Sequence, residues 1–243
     1  MAHKVVAVIP ARSGSKRIPG KNTRDFNGRP MIAWPIVACQ ASESVARTIV
    51  STDSPEIATI AREFGAETPF LRPEELSNDT AGTAPVIRHA IQTLGLDDED
   101  WVLCVYPTAA IDTTFLNQAI SQTSQPQIQE RFLISVGRHQ SPIERALVRN
   151  DEGTCEMIRP DALHSRTQSF SPTYFDAGKF YLAGVRTWMQ HETMMAHPFV
   201  PFFLPEWASV DVDEEGDWVI AETLHQKFGS SRADNALDIG EVS

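Results

Sequence analysis

The sequence predicts an α/β fold: a three-layer sandwich of helices around a mostly parallel sheet. Three observations point there. Short apolar runs alternate with amphipathic stretches along most of the chain. The first of these runs is nearly unbroken, as a strand buried on both faces requires. Helix-start and helix-stop residues fall between the runs where the alternation needs them.

Taken in order, Lys4-Val-Val-Ala-Val-Ile-Pro10 is the first buried strand, and a loop rich in Gly, Ser, Lys and Arg follows to Asn22. Residues 31–41 read as a helix, with Pro35 tolerable only near its first turn. Thr48-Ile-Val-Ser51 is the second strand. Ser54-Pro55 then supplies an N-cap and an N1 proline for a helix that stops at Gly65. Residues 83–94 form a helix stopped by Gly95, 101–106 a strand, 113–123 a helix and 132–137 a further central strand. Such alternation gives parallel pairing and a doubly wound, Rossmann-like sheet. From 143 to 159 the pattern changes to short extended pieces around the turn Asn150-Asp-Glu-Gly153, a hairpin that projects from the sheet. Residues 177–183 and 199–204 are the remaining strands, and 215–228 the last helix. Residues 229–243 are small, polar and aperiodic, and are expected to be a flexible tail. One domain over 1–228, with 143–175 projecting, accounts for the whole pattern.

Composition agrees and narrows the function. A chain of 243 residues, 42% hydrophobic and 22% charged, can bury the core of one such domain. With 21 basic against 32 acidic residues the net charge is −11, so the surface repels nucleic acid and anionic membranes. No apolar stretch approaches the ~20 residues that span a bilayer, and Met-Ala-His-Lys runs straight into a strand pattern. A cytoplasmic protein without a signal peptide is therefore expected. Cys39, Cys104 and Cys155 form no Cys-x-x-Cys pair, so neither a zinc site nor a disulfide framework is expected. The histidines, among them His89, His139, His164, His191, His197 and His225, are scattered and receive no role.

The basic residues concentrate where an anion would bind. Arg12-Ser-Gly-Ser-Lys-Arg-Ile-Pro-Gly-Lys-Asn22 leaves the carboxyl end of the first strand and holds Arg12, Lys16, Arg17 and Lys21. In open parallel sheets ligands bind beyond that end. Turned-in amides at Ala11, Ser13 and Gly14, together with the cations, would neutralise phosphate oxygens. The loop is not a P-loop: five residues separate Gly14 from Gly20, and Asn22 stands where a magnesium-binding hydroxyl would follow the lysine. A P-loop phosphotransferase is thereby disfavoured.

Ile9-Pro-Ala-Arg-Ser-Gly-Ser-Lys-Arg-Ile-Pro-Gly-Lys-Asn22 followed by Asn27-Gly-Arg-Pro-Met-Ile-Ala33 closely resembles the opening of the CMP-sugar-acid synthetases. These comprise the CMP-sialic acid synthetases (acylneuraminate cytidylyltransferases) and their pseudaminic acid counterparts. The similarity extends over about residues 4–225, and one departure is Ser13, where the family usually has glycine. The resemblance implies a nucleotide-diphospho-sugar transferase-like fold, CTP and a nine-carbon sugar acid as substrates, and a homodimer built through the projecting segment. It also implies that Arg12 and Lys21 stabilise charge on the phosphates, with Asn22 near the nucleotide. The physics agrees, because attack on the α-phosphorus accumulates charge that fixed cations stabilise.

Further residues follow from the same resemblance. Phe70-Leu-Arg-Pro-Glu-Glu-Leu-Ser-Asn-Asp-Thr-Ala-Gly-Thr83 matches a segment that contacts the nucleotide, which implicates Arg72, with Ser77, Asp79 and Thr83 behind it. Thr83 is equally a natural N-cap for the next helix. Tyr106 and Thr108 end a strand beside the sugar and nucleotide. Arg166 is the candidate for gripping the sugar carboxylate, with Gln168 reading hydroxyl or amide groups. Phe175-Asp-Ala-Gly-Lys-Phe-Tyr181 supplies Asp176, Lys179 and Tyr181 on the sugar side and looks like the pseudaminic acid branch, although Lys179 replaces that branch's usual glutamine.

Asp211 and Asp213 lie two apart in an extended stretch, so their side chains share one side and can hold one Mg2+ ion. The bland alternative is that acids here favour the next helix's N-terminus, which fits Glu214, Glu215 and Asp217 better. No side chain stands out as a general base; the metal, Asp211 and a bound water stay open. The expected activity is CTP-dependent activation of a nonulosonic acid, with pseudaminic acid ahead of sialic, legionaminic and ketodeoxyoctonic acids. The competing class is a non-catalytic nucleotide or sugar-acid sensor, which loss of Lys21 or of the aspartate pair would have favoured.

Overall fold

Six strands form the central sheet in the computed structural model, which describes residues 3–78, 80–195 and 197–229. Asp79 and the tail from 230 onward lie outside the described residues. In chain order the elements begin with β1 (Val5–Pro10), a small hairpin of β2 (Asp25–Phe26) and β3 (Arg29–Pro30), and α1 (Ala33–Gln40). β4 (Arg47–Ser51), α2 (Pro55–Glu63), α3 (Thr83–Leu94), β5 (Trp101–Val105), α4 (Thr113–Ser121) and β6 (Leu133–Arg138) follow. After the arm strands β7 (Leu147–Arg149) and β8 (Cys155–Met157) come β9 (Tyr174–Gly184), α5 (Val185–Gln190), β10 (Val200–Phe203) and α6 (Glu215–Phe228).

The sheet order is β10-β6-β9-β5-β1-β4. β1 pairs in parallel with both β4 and β5, and β10 with β6. β9 runs antiparallel between β5 and β6. β6 and β9 are neighbours joined through the arm without a crossover helix, so the chain returns in the opposite direction. β1 lies between β4 and β5, so the chain steps first to one side and then to the other. That is a topological switch point, where loops diverge and leave a crevice.

Alternate side chains of β1 feed two cores, as the period of a strand requires. Val5, Ala7 and Ile9 join α1, α2 and α4 on one face, whereas Val6 and Val8 meet α3 and α5 on the other. A third cluster lies apart from both. Ile18 of the basic loop, Phe26 and Met31 of the hairpin region, Val212, and Trp218 of α6 are each at most 2% exposed and pack together. This small core ties the basic loop to the acidic segment around Asp211.

The helix ends follow their local chemistry. Ser54 Oγ accepts the Ile57 amide at 3.3 Å at the start of α2, and Gly65 (φ 92°) follows its end. α6 starts with Asp217 Oδ2 accepting the amides of Glu214 (2.8 Å) and Asp213 (3.0 Å). One expectation is corrected: Gly82, not Thr83, is the N-cap of α3, and no side chain caps it. The Thr83 hydroxyl is instead 2.5 Å from that of Tyr106. The β2–β3 hairpin was absent from the predicted elements, although Asn27-Gly28 at its tip, with φ 50° and 84°, is the two-residue turn such hairpins favour.

The predicted projecting hairpin is the separate two-stranded sheet β7–β8. Its surroundings carry large exposed apolar side chains, including Leu147 (63%), Ile158 (58%) and Leu163 (60%).

Candidate active site

A cleft of about 470 Å³ opens at the switch point, beyond the carboxyl ends of β1 and β5. That volume falls in the range of small-ligand sites. The basic loop supplies Arg12, Gly14, Lys16, Lys21 and Asn22 to its lining. Arg72, Thr83, Tyr106 and Thr108 line it as well. Ala11 sits beneath, its amide donating to Ser51 O at 2.9 Å and so fixing the point where the loop leaves the sheet.

Two buried side chains keep hydrogen-bonding capacity to spare. Asn22 donates through Nδ2 to Arg12 O at 2.9 Å, while its Oδ1 has no partner among the described residues. Arg72, with a side chain only 3% exposed, donates through Nε to Ser77 Oγ at 3.2 Å, and one of its terminal nitrogens has no hydrogen-bond partner among them. Unmet groups of this kind are costly unless water or a ligand satisfies them. One is an acceptor and the other a cationic donor, which suits a polar, anionic ligand. Burial pulls the Arg72 guanidinium below its ordinary value; Asp53 opposes this and Arg12 adds to it.

Asp53 is a site residue that the sequence reading missed. It follows β4 by two positions, and its Oδ1 accepts the Ser13 amide at 2.9 Å. The other oxygen accepts the Ser13 hydroxyl at 2.6 Å, and Oδ1 is 3.8 Å from Arg72. Burial acts to raise the Asp53 carboxyl, but the Ser13 bonds and Arg72 outweigh it and hold the group below its usual range. The available signal was its place at the end of a strand beside the switch point.

The acidic segment is gripped from two directions. Lys21 Nζ donates to Val212 O at 2.6 Å, and Lys179 Nζ to Val210 O at 2.6 Å and Thr108 O at 3.5 Å. The carbonyls on either side of Asp211 are thus pinned by ammonium groups. Water reaches Asp211, yet protein desolvates it in part, with Gly178 of β9 passing close by. This desolvation and the neighbouring Asp213 raise the Asp211 carboxyl, with Lys179 and Lys21 opposing. Asp213 pairs with Arg17 at 2.7 Å. Lys21 is itself pulled down by burial, against the two aspartates.

Two carboxylates within electrostatic reach, one of them partly desolvated, match the donor set of a hard dication that keeps water and phosphate ligands. Among the described residues no group of three His, Cys, Asp or Glu side chains could form a closed metal site.

The sugar-side candidates divide. Asp176 Oδ1 accepts the Gly178 amide at 3.0 Å and Oδ2 the Tyr181 hydroxyl at 2.6 Å. Tyr181 is 2% exposed, with its ring 5.5 Å from that of Tyr106, so it reaches the cleft through Tyr106 and Thr83 rather than by its own surface. Lys179, 4% exposed, ends on backbone carbonyls and not in the cleft. Arg166 and Gln168 are exposed on the arm, and neither lines the cleft of their own chain.

Comparison with known proteins complements this geometry. Residues 6–183 match the family model described as Cytidylyltransferase. A pseudaminic acid cytidylyltransferase of Campylobacter jejuni is 33% identical over 226 residues, covering 92% of this chain and 97% of that protein. A CMP-N,N'-diacetyllegionaminic acid synthase of Legionella pneumophila is 31% identical over 229 residues, covering 91% and 96%. Among solved structures, a CMP:2-keto-3-deoxy-manno-octonic acid synthetase complexed with CTP superposes with a TM-score of 0.66 at 18% identity. It covers 92% of this chain and 99% of that one, a likeness of fold.

Proposed function

Because this chain belongs to the cytidylyltransferase family, we propose that its cleft binds CTP and transfers CMP to a nonulosonic acid, with pseudaminic acid as the preferred substrate. Membership makes it a CTP-dependent nucleotidyltransferase. The observation that carries the reading of the cleft is that the basic loop and the buried Arg72 line it together, in a chain whose net charge is −11. Pseudaminic acid comes first because a Campylobacter jejuni relative with that name covers 92% of the chain.

In this reading the anomeric hydroxyl attacks the α-phosphorus, its proton passing to water, while the bond to pyrophosphate breaks. Arg12 and Lys21 stabilise the charge that builds on the phosphate oxygens and the leaving group. Asn22 Oδ1 and the Arg72 guanidinium meet polar groups of the nucleoside, and Ser77 keeps Arg72 in place. Asp211 and Asp213 would hold Mg2+, which when bound neutralises phosphate charge and orders the triphosphate. Lys179 and Lys21 favour the ionised form of Asp211 that such a role needs. Gly178, at φ 58°, lets β9 pass close to the Asp211 carboxylate.

A homodimer completes the account. The exposed apolar side chains of the arm support an interface between copies, and such an interface is the route by which Arg166 and Gln168 would reach a sugar site. The free thiols of Cys39, Cys104 and Cys155 suit the cytoplasm, where CTP is available. No described helix is long and apolar enough to cross a membrane.

The test is pyrophosphate release from CTP and Mg2+ with pseudaminic, N-acetylneuraminic, legionaminic and ketodeoxyoctonic acids in parallel. The highest kcat/KM is expected with pseudaminic acid. A higher value with another acid would keep the chemistry and overturn the substrate assignment.

A further inference from the structure

Behind the residues that line the cleft lies a carboxylate that a triphosphate site has electrostatic reason to avoid. Asp53 stands beside Arg72, and like charge repels a polyanionic ligand. Its contacts indicate what offsets that cost. Both oxygens are used on Ser13, one by the amide at 2.9 Å and one by the hydroxyl at 2.6 Å. Ser13 lies directly after Arg12, so this grip sets the course of the loop at its first cation. The same carboxylate is 3.8 Å from the Arg72 guanidinium, which lines the cleft. The Arg72 backbone is anchored one residue before Asp53, its amide donating to Thr52 O at 2.7 Å. At Arg72 the nearby charge of Arg12 disfavours the guanidinium and the Asp53 carboxylate favours it.

We propose that Asp53 is a positioning residue for the nucleotide: through Ser13 and Arg72 its carboxylate holds the start of the basic loop and the buried guanidinium in the arrangement that receives CTP. The inference rests on the reading of the cleft as a CTP site. Ser13 belongs to the same device, since its hydroxyl supplies the second of the two bonds.

The experiment is calorimetric titration of CTP into the wild type, Asp53→Asn, Ser13→Gly, Arg72→Ala and the Asp53→Asn/Arg72→Ala double variant, with a thermal melt of each. Asp53→Asn keeps the shape and an acceptor for the Ser13 amide but removes the charge. Its Kd for CTP is expected to rise about tenfold, as for loss of a charge-assisted contact. KM for the sugar acid and the melting temperature should barely move. Ser13→Gly, which keeps the amide bond, should weaken CTP about threefold. In the Arg72→Ala background, Asp53→Asn should cost much less than it does alone. Unchanged CTP affinity in Asp53→Asn, full additivity with Arg72→Ala, or a loss that parallels a fall in melting temperature would each overturn the proposal. A wild type that does not bind CTP would instead overturn the reading of the cleft, and this proposal with it.

Discussion

Lys179 is a buried cation whose energetic cost can be measured directly. It is 4% exposed, and burial pulls its ammonium from 10.5 to about 8 despite the Asp211 charge. Below pH 8 the folded protein therefore carries a desolvation cost of roughly 3 kcal/mol. Between pH 8 and 10.5 the unfolded chain binds the proton and the folded one does not. Stability from this group thus rises with pH across that window. The buried phenol of Tyr106, pushed up to about 12, acts with the opposite sign, because the unfolded chain loses that proton first. A variant is needed to separate the two. Lys179→Met removes the titration but leaves Val210 O without its 2.6 Å donor, at a cost of about 1–3 kcal/mol. At pH 7 the two effects nearly cancel, so the variant should be close to the wild type in stability. From pH 8 to 10.5 the wild type should gain on it by roughly 3 kcal/mol. Urea unfolding of both proteins at several pH values measures that difference. A difference that stays flat with pH would refute the argument that Lys179 is buried as a strained cation.

Three other outcomes follow from the same geometry. Trp218→Ala should cost about 3–5 kcal/mol in urea unfolding, since Trp218 is 2% exposed and its ring meets Phe26 edge-on at 5.3 Å. It should also weaken CTP binding in calorimetry, because Ile18 and Val212 share that cluster. Asp211→Asn should lower kcat by about 100-fold or more and abolish Mn2+ binding seen by electron paramagnetic resonance, while metal-free CTP binding survives. Gly178→Ala forces a side chain into φ 58° and sets a Cβ 3.5 Å from Asp211 Oδ1; about 1–2 kcal/mol of stability and a larger share of kcat than of CTP affinity should be lost in parallel melts and assays.

The sequence and the structure agree most where local chemistry decides. The bounds of α6, the stop at Gly95 and the strand at the amino terminus follow from caps, glycines and apolar runs. Pairing direction is a non-local property, which is why the antiparallel course of β9 and its extension to Tyr174 were not legible. In the site, Arg12, Lys21, Asn22, Arg72, Tyr106 and Thr108 do line one cleft. Their present partners were hidden. Lys21 and Lys179 both end on carbonyls of the acidic segment, contacts 191 and 31 residues apart in sequence that no spacing rule anticipates. Asp53 escaped notice for the same reason, since nothing in Ser-Thr-Asp-Ser announces a partner 40 residues upstream. Arg166 and Gln168 remain on the arm, away from the cleft of their own chain.

Mass spectrometry of the products reads CMP transfer itself. The purified protein would be incubated with CTP, Mg2+ and pseudaminic acid, and the CMP conjugate and pyrophosphate quantified together. One conjugate per pyrophosphate is expected in the wild type, with both products formed at least about 100-fold more slowly by Asp211→Asn. CTP binding without any conjugate, from pseudaminic acid or from the other three sugar acids tried in its place, would leave a nucleotide-binding protein where a transferase is expected.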